Sequence, residues 1–166
     1  SSTAAVHTGF ALGRLAAGGS MPTHVHSYEE SLYVVDGGVV VQTPGEAVLL
    51  GAGDYGWIPV GVPHVLRNIG DVETRWARMS APTPRVSHGL DTYVVAELPP
   101  TEPSRAEVRD PRTRRYGHID PENMDPAQQT QDRLAVSASM RTALLVYSGI
   151  TVKMMIDSDL GAQLST

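Results

Sequence analysis

Cysteine is absent from this chain of 166 residues. Its absence excludes disulfides, thiolate metal sites and cysteine nucleophiles, and leaves the redox compartment open. Positive charge is also in short supply. Thirteen Lys and Arg stand against eighteen Asp and Glu, for a net charge of −5 and a sequence pI near 5.6. An acidic balance of this kind argues against nucleic acid as a partner, because phosphate binding calls for a basic surface. No apolar run approaches the ~18 residues of a membrane-spanning helix. The opening residues, Ser1-Ser2-Thr3-Ala4-Ala5, carry neither the charged n-region nor the apolar h-region of a secretory leader. The expectation is a cytoplasmic protein with no membrane partner. Because no initiator Met is present, the chain also reads as a trimmed or fragmentary version of something longer.

What is present is a succession of short apolar runs punctuated by Gly and Pro. Val6 to Leu15 reads as a strand. Further runs follow at Glu30 to Asp36, Val39 to Thr43, Ala47 to Leu50, Tyr55 to Ile58, His64 to Asn68 and Glu73 to Ser80. Turn residues separate them, as at Gly37-Gly38, Pro44-Gly45 and Gly51-Ala52-Gly53-Asp54. Many short strands with this punctuation predict an all-β barrel or sandwich in residues 1–80.

Two stretches carry chemistry. In His24-Val25-His26 the strand period of two sends both imidazoles to one face. Glu30 opens the next run, whose even positions line the same interior, and His64 follows the Pro59 to Pro63 turn and supplies a third nitrogen. His24, His26, His64 and Glu30 then form an N3O set that suits a divalent transition metal: iron, manganese, nickel, cobalt or zinc. Competing readings are three core histidines bonded to backbone, and a Glu30 that only orients a ligand histidine. Glu29 is expected to point outward as a surface charge. His7, His88 and His118 lack ligand spacing and are expected at the surface or in hydrogen bonds.

The complete spacing resembles the two signature motifs of the cupin superfamily. Gly18, His24, His26, Glu30 and Gly37 fill the first, and Gly53, Pro59, Gly61, His64 and Asn68 fill the second. At residue frequencies of roughly 5%, ten matches at one placement arise by chance on the order of 10⁻¹³. The resemblance implies a double-stranded β-helix, or jelly-roll barrel, with the four ligands named above. It spans about residues 5 to 80 and speaks more to fold than to reaction. Arg14, Tyr28, Tyr55 and Trp57 are candidates for a substrate pocket beside the metal.

Composition shifts at Ala81. Residues 81–126 hold eight of the twelve prolines and six of the thirteen basic residues, and read as a Pro/Arg-rich linker. Residues 127–166 read as a short helix followed by a β-hairpin around Ser148-Gly149. This tail resembles the join between the two barrels of bicupins. The expectation is a truncated second barrel, or a hairpin that packs on its own barrel or on a dimer mate, and a homodimer is predicted on that basis.

The functional expectation is a metal-dependent enzyme on a small polar organic substrate, with dioxygenase-type oxidation first. Decarboxylation, isomerisation or hydrolysis at the same metal is the alternative, and a non-catalytic small-ligand-binding barrel is a third.

Overall fold

Alternation decides which way each strand faces, and the apolar alternation of residues 9–81 closes two sheets on one another. The computed structural model describes residues 7–105, 115–118, 142–144, 151–153, 156 and 161–162. Its strands are β1 (Gly9–Leu15), β2 (His24–His26), β3 (Glu29–Asp36), β4 (Gly38–Thr43), β5 (Glu46–Gly51), β6 (Asp54–Ile58), β7 (Val65–Arg67) and β8 (Thr74–Ala81). A short turn segment, Val86–Asp91, then leads to β9 (Thr92–Val94), β10 (Ser104–Arg105), β11 (Tyr116–His118), β12 (Thr142–Leu144) and β13 (Thr151–Lys153).

One sheet has the order β1-β8-β3-β6-β11 and faces a second of order β10-β5-β4-β7, while β2 pairs with β9. Pairing is antiparallel except between β10 and β5. The predicted all-β jelly roll is therefore the observed architecture; β3 to β8 begin and end within one residue of the runs read from the chain, while β1 begins at Gly9, three residues after Val6.

Leu32, Val34 and Trp76 from the first sheet meet Val39, Val41, Val48, Leu50 and Leu66 from the second, with Ile58 and Tyr116 beside them. None is more than 4% exposed. Each such side chain contributes roughly 1.5–3 kcal/mol by leaving water. Trp76 fits because its neighbour on β1 is Gly13, where a Cβ would lie 2.2 Å from the indole. Gly37 turns the chain between β3 and β4 with φ +72°, and a Cβ there would also strike Thr74 Oγ1 at 2.5 Å.

Asn68 ties the end of β7 to its surroundings. Its Nδ2 donates to the carbonyls of Leu15, Ala16 and Val72, and its Oδ1 accepts from Gly70 N–H. Asn68 thus secures the turn at the strand end and also clamps the β1–β2 connection.

The stretch expected as a linker does more than link. Among its described residues, β9 pairs with β2, β10 extends the second sheet beside β5, and β11 extends the first beside β6. Gln42, on the outer face of β4, donates to Pro99 O at 2.7 Å, so this segment also covers that face. Arg115, in the same Pro/Arg-rich stretch, pairs with Glu46. Backbone pairing explains the difference, since open edges of a sheet accept any extended chain whatever its side chains.

The hairpin of the tail forms, with Thr142 opposite Lys153 and Leu144 opposite Thr151. Ile156 and Ala162 pack with Tyr55 and Trp57 on the outer face of the first sheet. The predicted helix lies outside the described residues. Among the described residues no helix is long and apolar enough to cross a membrane.

Asn68→Ala removes four hydrogen bonds at a site that is 2% exposed. Stability is expected to fall by about 2–4 kcal/mol, measured by urea denaturation. A loss under about 0.5 kcal/mol would mean the clamp is dispensable.

Candidate metal centre

The two motifs meet because their backbones pair. His24 N–H donates to His64 O at 3.0 Å and His64 N–H to His24 O at 2.9 Å. Gly61 N–H adds a bond to His26 O at 2.9 Å. Residues bridged in this way present side chains to the same face, so His64 joins His24 and His26 at one end of the barrel. The ring centroids lie 4.2 to 4.9 Å apart. One ligand atom from each ring falls within 4.8 Å of the others.

Each ring is anchored from behind. His24 Nδ1 lies 2.7 Å from Pro22 O and His64 Nδ1 lies 2.9 Å from Val62 O. A carbonyl only accepts, so both Nδ1 atoms carry the proton and both Nε2 lone pairs are left to face the cluster. His26 Nδ1 is 3.0 Å from Thr92 Oγ1, whose own hydroxyl donates to Leu90 O. That hydroxyl must therefore accept from His26, which fixes the same tautomer.

Glu30 reaches the cluster from β3, where it is opposite Ile58 and Ser80. Its Oε2 is 3.2 Å from His26 Nε2 and 3.5 Å from Arg78 Nη1, yet it makes no hydrogen bond of acceptable geometry. His64 Nε2 is likewise buried without a hydrogen-bond partner. Two electron-rich atoms, Glu30 Oε2 and the lone pair of His26 Nε2, thus face each other without a proton shared between them. Buried polar atoms in this condition are costly, and a cation at their common point satisfies them together. The residues fit a divalent metal.

Burial holds the His64 pKa down to about 4 and lowers that of His24 as well, although their backbone bonds to Val62 and Pro22 oppose it. Burial alone would raise the Glu30 pKa, but the charges around it, the Arg78 guanidinium among them, hold it below the ordinary carboxylate range. At neutral pH His24 and His64 are thus neutral imidazoles beside one anion, the protonation state that ligation requires.

Of the residues expected to line a substrate pocket, Tyr28 is at the centre. It stacks on His26 at 4.2 Å with an interplanar angle of 16°, and its hydroxyl is 3.5 Å from His26 Nε2. Arg14, Tyr55 and Trp57 are not brought to the histidines. Tyr55 and Trp57 alternate with Gly56 and Ile58, and it is Ile58 that pairs with Glu30, so both aromatics face outward beneath the tail. Arg14 pairs with Arg75 on the same outer face, beside a groove of about 280 Å³ lined by Leu12 and Val35.

Glu29 points away from the site as expected, but it is buried, at 5% exposure, rather than a surface charge. His7 is exposed, and His88 and His118 are hydrogen-bonded to Ser87 and Asp54. Two contributors went unread. Arg78 faces inward because it pairs with Leu32, although β8 has apolar side chains on both faces and its parity is ambiguous in the chain alone. Thr92 carries no local signal, since its role depends on β9 docking on β2.

Two measurements test this reading of the site. Between pH 6.5 and 4 the unfolded chain binds protons at His64 that the folded chain refuses. Stability of chelator-treated protein is therefore full above pH 6.5 and falls as the pH drops toward 4, by on the order of 2–3 kcal/mol. Thermal melts at pH 7.5, 5.5 and 4.5 read this directly, and equal stability at all three would contradict it. Thr92→Val keeps the strand and removes the acceptor for His26. Metal affinity is expected to fall about 10- to 100-fold with the melting temperature of the metal-free protein unchanged, as measured by competition with a chelator.

Known proteins resemble the chain over this same barrel. Residues 11–80 match the family model described as the cupin domain. A Streptomyces cyaneus protein named polyketide synthase CurC is 40% identical over 77 residues, which is 44% of this chain and 49% of that protein. The chain thus spans about half the length of this curated relative. A crystal structure from Thermus thermophilus is 29% identical, with a TM-score of 0.46 over 49% of this chain and 78% of the other. A recombinant oxalate oxidase in complex with glycolate is 24% identical, with a TM-score of 0.43 over 45% of this chain and 42% of the other. Residues 11–80 are thus a cupin domain, with both signature motifs filled and the strands of a jelly roll around them.

Proposed function

We propose that His24, His26 and His64 through Nε2, and Glu30 through its carboxylate, hold one divalent transition metal, and that the protein uses it for dioxygenase-type oxidation of a small organic substrate. The observation that carries the reading is the pair of buried, unbonded acceptors, His64 Nε2 and Glu30 Oε2, set among imidazoles whose other nitrogens are already engaged. A divalent transition ion on four protein ligands supplies a Lewis acid and, for iron, manganese or cobalt, a redox centre with open positions.

The remaining work belongs to side chains of this chain. Pro22 O, Thr92 Oγ1 and Val62 O hold the rings in one tautomer, so that no proton has to leave an imidazole at neutral pH. Tyr28, 1% exposed and flat against His26, closes one wall against water. Burial raises the pKa of its phenol, so it stays protonated, a hydrogen-bond donor at the edge of the site. The interior beyond is apolar, which strengthens every electrostatic contact made with a bound substrate.

The test is elemental analysis of protein purified without added metal, then an oxygen-uptake screen with organic acids and catechol-like compounds. Because the curated relative is named for polyketide synthesis, phenolic and β-dicarbonyl polyketide-type compounds belong in that screen. His26→Ala is expected to lower metal occupancy tenfold or more with the fold intact. No metal in native or reconstituted protein near pH 7.5 would remove the proposal. Turnover without oxygen uptake would transfer it to the decarboxylase, isomerase or hydrolase class.

A further inference from the structure

One charged side chain in the barrel wall is not accounted for by the ligand set. On β8, Trp76, Arg78 and Ser80 share the inner face, opposite Val34, Leu32 and Glu30 on β3. Arg78 therefore points into an otherwise apolar interior, beside the histidine cluster. Its side chain is 26% exposed against 3% for Glu30, so the guanidinium stands on the solvent side of the carboxylate.

Pairing with Glu30 uses only part of that guanidinium. Elsewhere in this chain, two arginines grip a carboxylate through two nitrogens at once. Arg85 grips Asp91 through Nε at 3.0 Å and Nη2 at 2.6 Å, and Arg75 grips Asp36 through the same two nitrogens. Arg78 instead meets Glu30 by a single Nη1 contact at 3.5 Å, without hydrogen-bond geometry. A guanidinium has five donors in a planar fork matched to paired oxygens. Here most of that capacity is left beside the mouth of the site, near the hydroxyl of Tyr28.

Charge points the same way. Three neutral imidazoles, one carboxylate, one guanidinium and a divalent ion sum to two positive charges in a low-dielectric pocket. An oxyanion is attracted there, and a neutral molecule is not favoured.

We propose that Arg78 is the anion anchor of this site, and that the substrate is an organic oxyanion, such as a carboxylate, enolate or phenolate, held between the Arg78 guanidinium and the metal. The proposal rests on the metal reading above and gives it a substrate class.

The experiment uses cobalt(II)-loaded protein, whose visible absorption reports ligand binding without turnover. Wild type, Arg78→Gln and Arg78→Lys are titrated with glycolate and with its neutral counterpart, ethylene glycol. Wild type is expected to bind glycolate at least tenfold more tightly than the diol. Arg78→Gln is expected to lose about ten- to a hundredfold in glycolate affinity, with cobalt occupancy and diol binding unchanged. Arg78→Lys, which keeps the charge and loses the fork, should recover part of the loss and covers the case in which Arg78→Gln folds poorly. Glycolate binding that is equal in all three proteins would overturn the proposal. So would loss of cobalt from both variants, which would make Arg78 a support for Glu30 instead. Failure of the wild type itself to take up cobalt would overturn the metal reading, and this proposal with it.

Discussion

Three hydrogen bonds made on the outer side of the histidine rings are what the site depends on. Pro22 O, Thr92 Oγ1 and Val62 O each take the Nδ1 proton of one imidazole. With those protons committed outward, the three Nε2 lone pairs have nowhere to go but toward one another. His24 and His64, at 4% and 0% exposure, attract no proton near neutral pH, because burial disfavours the charged form. The result is a concentration of acceptors with few donors among them, which is the electrostatic description of a cation site.

Two of these three anchors belong to the motif segments themselves, two residues before His24 and His64. The third comes from a segment outside the region that matches the family. Thr92 is delivered by β9, and β9 is held in place by the turn that precedes it. There Leu90 and Asp91 both adopt positive φ, at 58° and 51°, a conformation that costs a non-glycine residue of order 1 kcal/mol or more. Arg85 offsets this by clasping the Asp91 carboxyl, whose pKa the guanidinium holds down to about 2, while Asp91 O accepts from Ser27 N–H. The strap is therefore fastened at both ends, to itself and to the chain beside His26. Residues 85–94 are as much a part of the candidate metal centre as the motifs are.

How much of this was legible in the chain depends on whether the deciding interaction is local. Strand alternation is local, so the convergence of His24 with His26, the inward face of Glu30, and the strand boundaries could be read directly. The positive φ values of Gly18, Gly37, Gly53 and Gly61 follow from the same kind of reasoning. Trp57 and Tyr55 were misassigned because both faces of β6 are buried, one by the core and the other by Ile156 and Ala162, so hydrophobicity could not say which face was inner. Glu29 was misjudged by the same covering of the outer face. The proline-rich stretch read as linker because its side chains do not alternate, yet backbone hydrogen bonds, with the buried Tyr116 and the Arg115–Glu46 pair beside them, recruit it to three sheet edges.

By itself, then, the amino-acid sequence determined the all-β class, the turns and the convergence of the four side chains, because each follows from period, φ preference and spacing along the chain, while the jelly roll is what the resemblance to the cupin motifs implies. Only the tertiary structure decided which arginine faces the site, which hydroxyl locks His26, and that the tail lies over Tyr55 and Trp57. Those outcomes turn on which strand edge or sheet face a distant segment covers. That choice is made by backbone pairing and burial between residues far apart in the chain, and it leaves no periodic trace in the segment that is recruited.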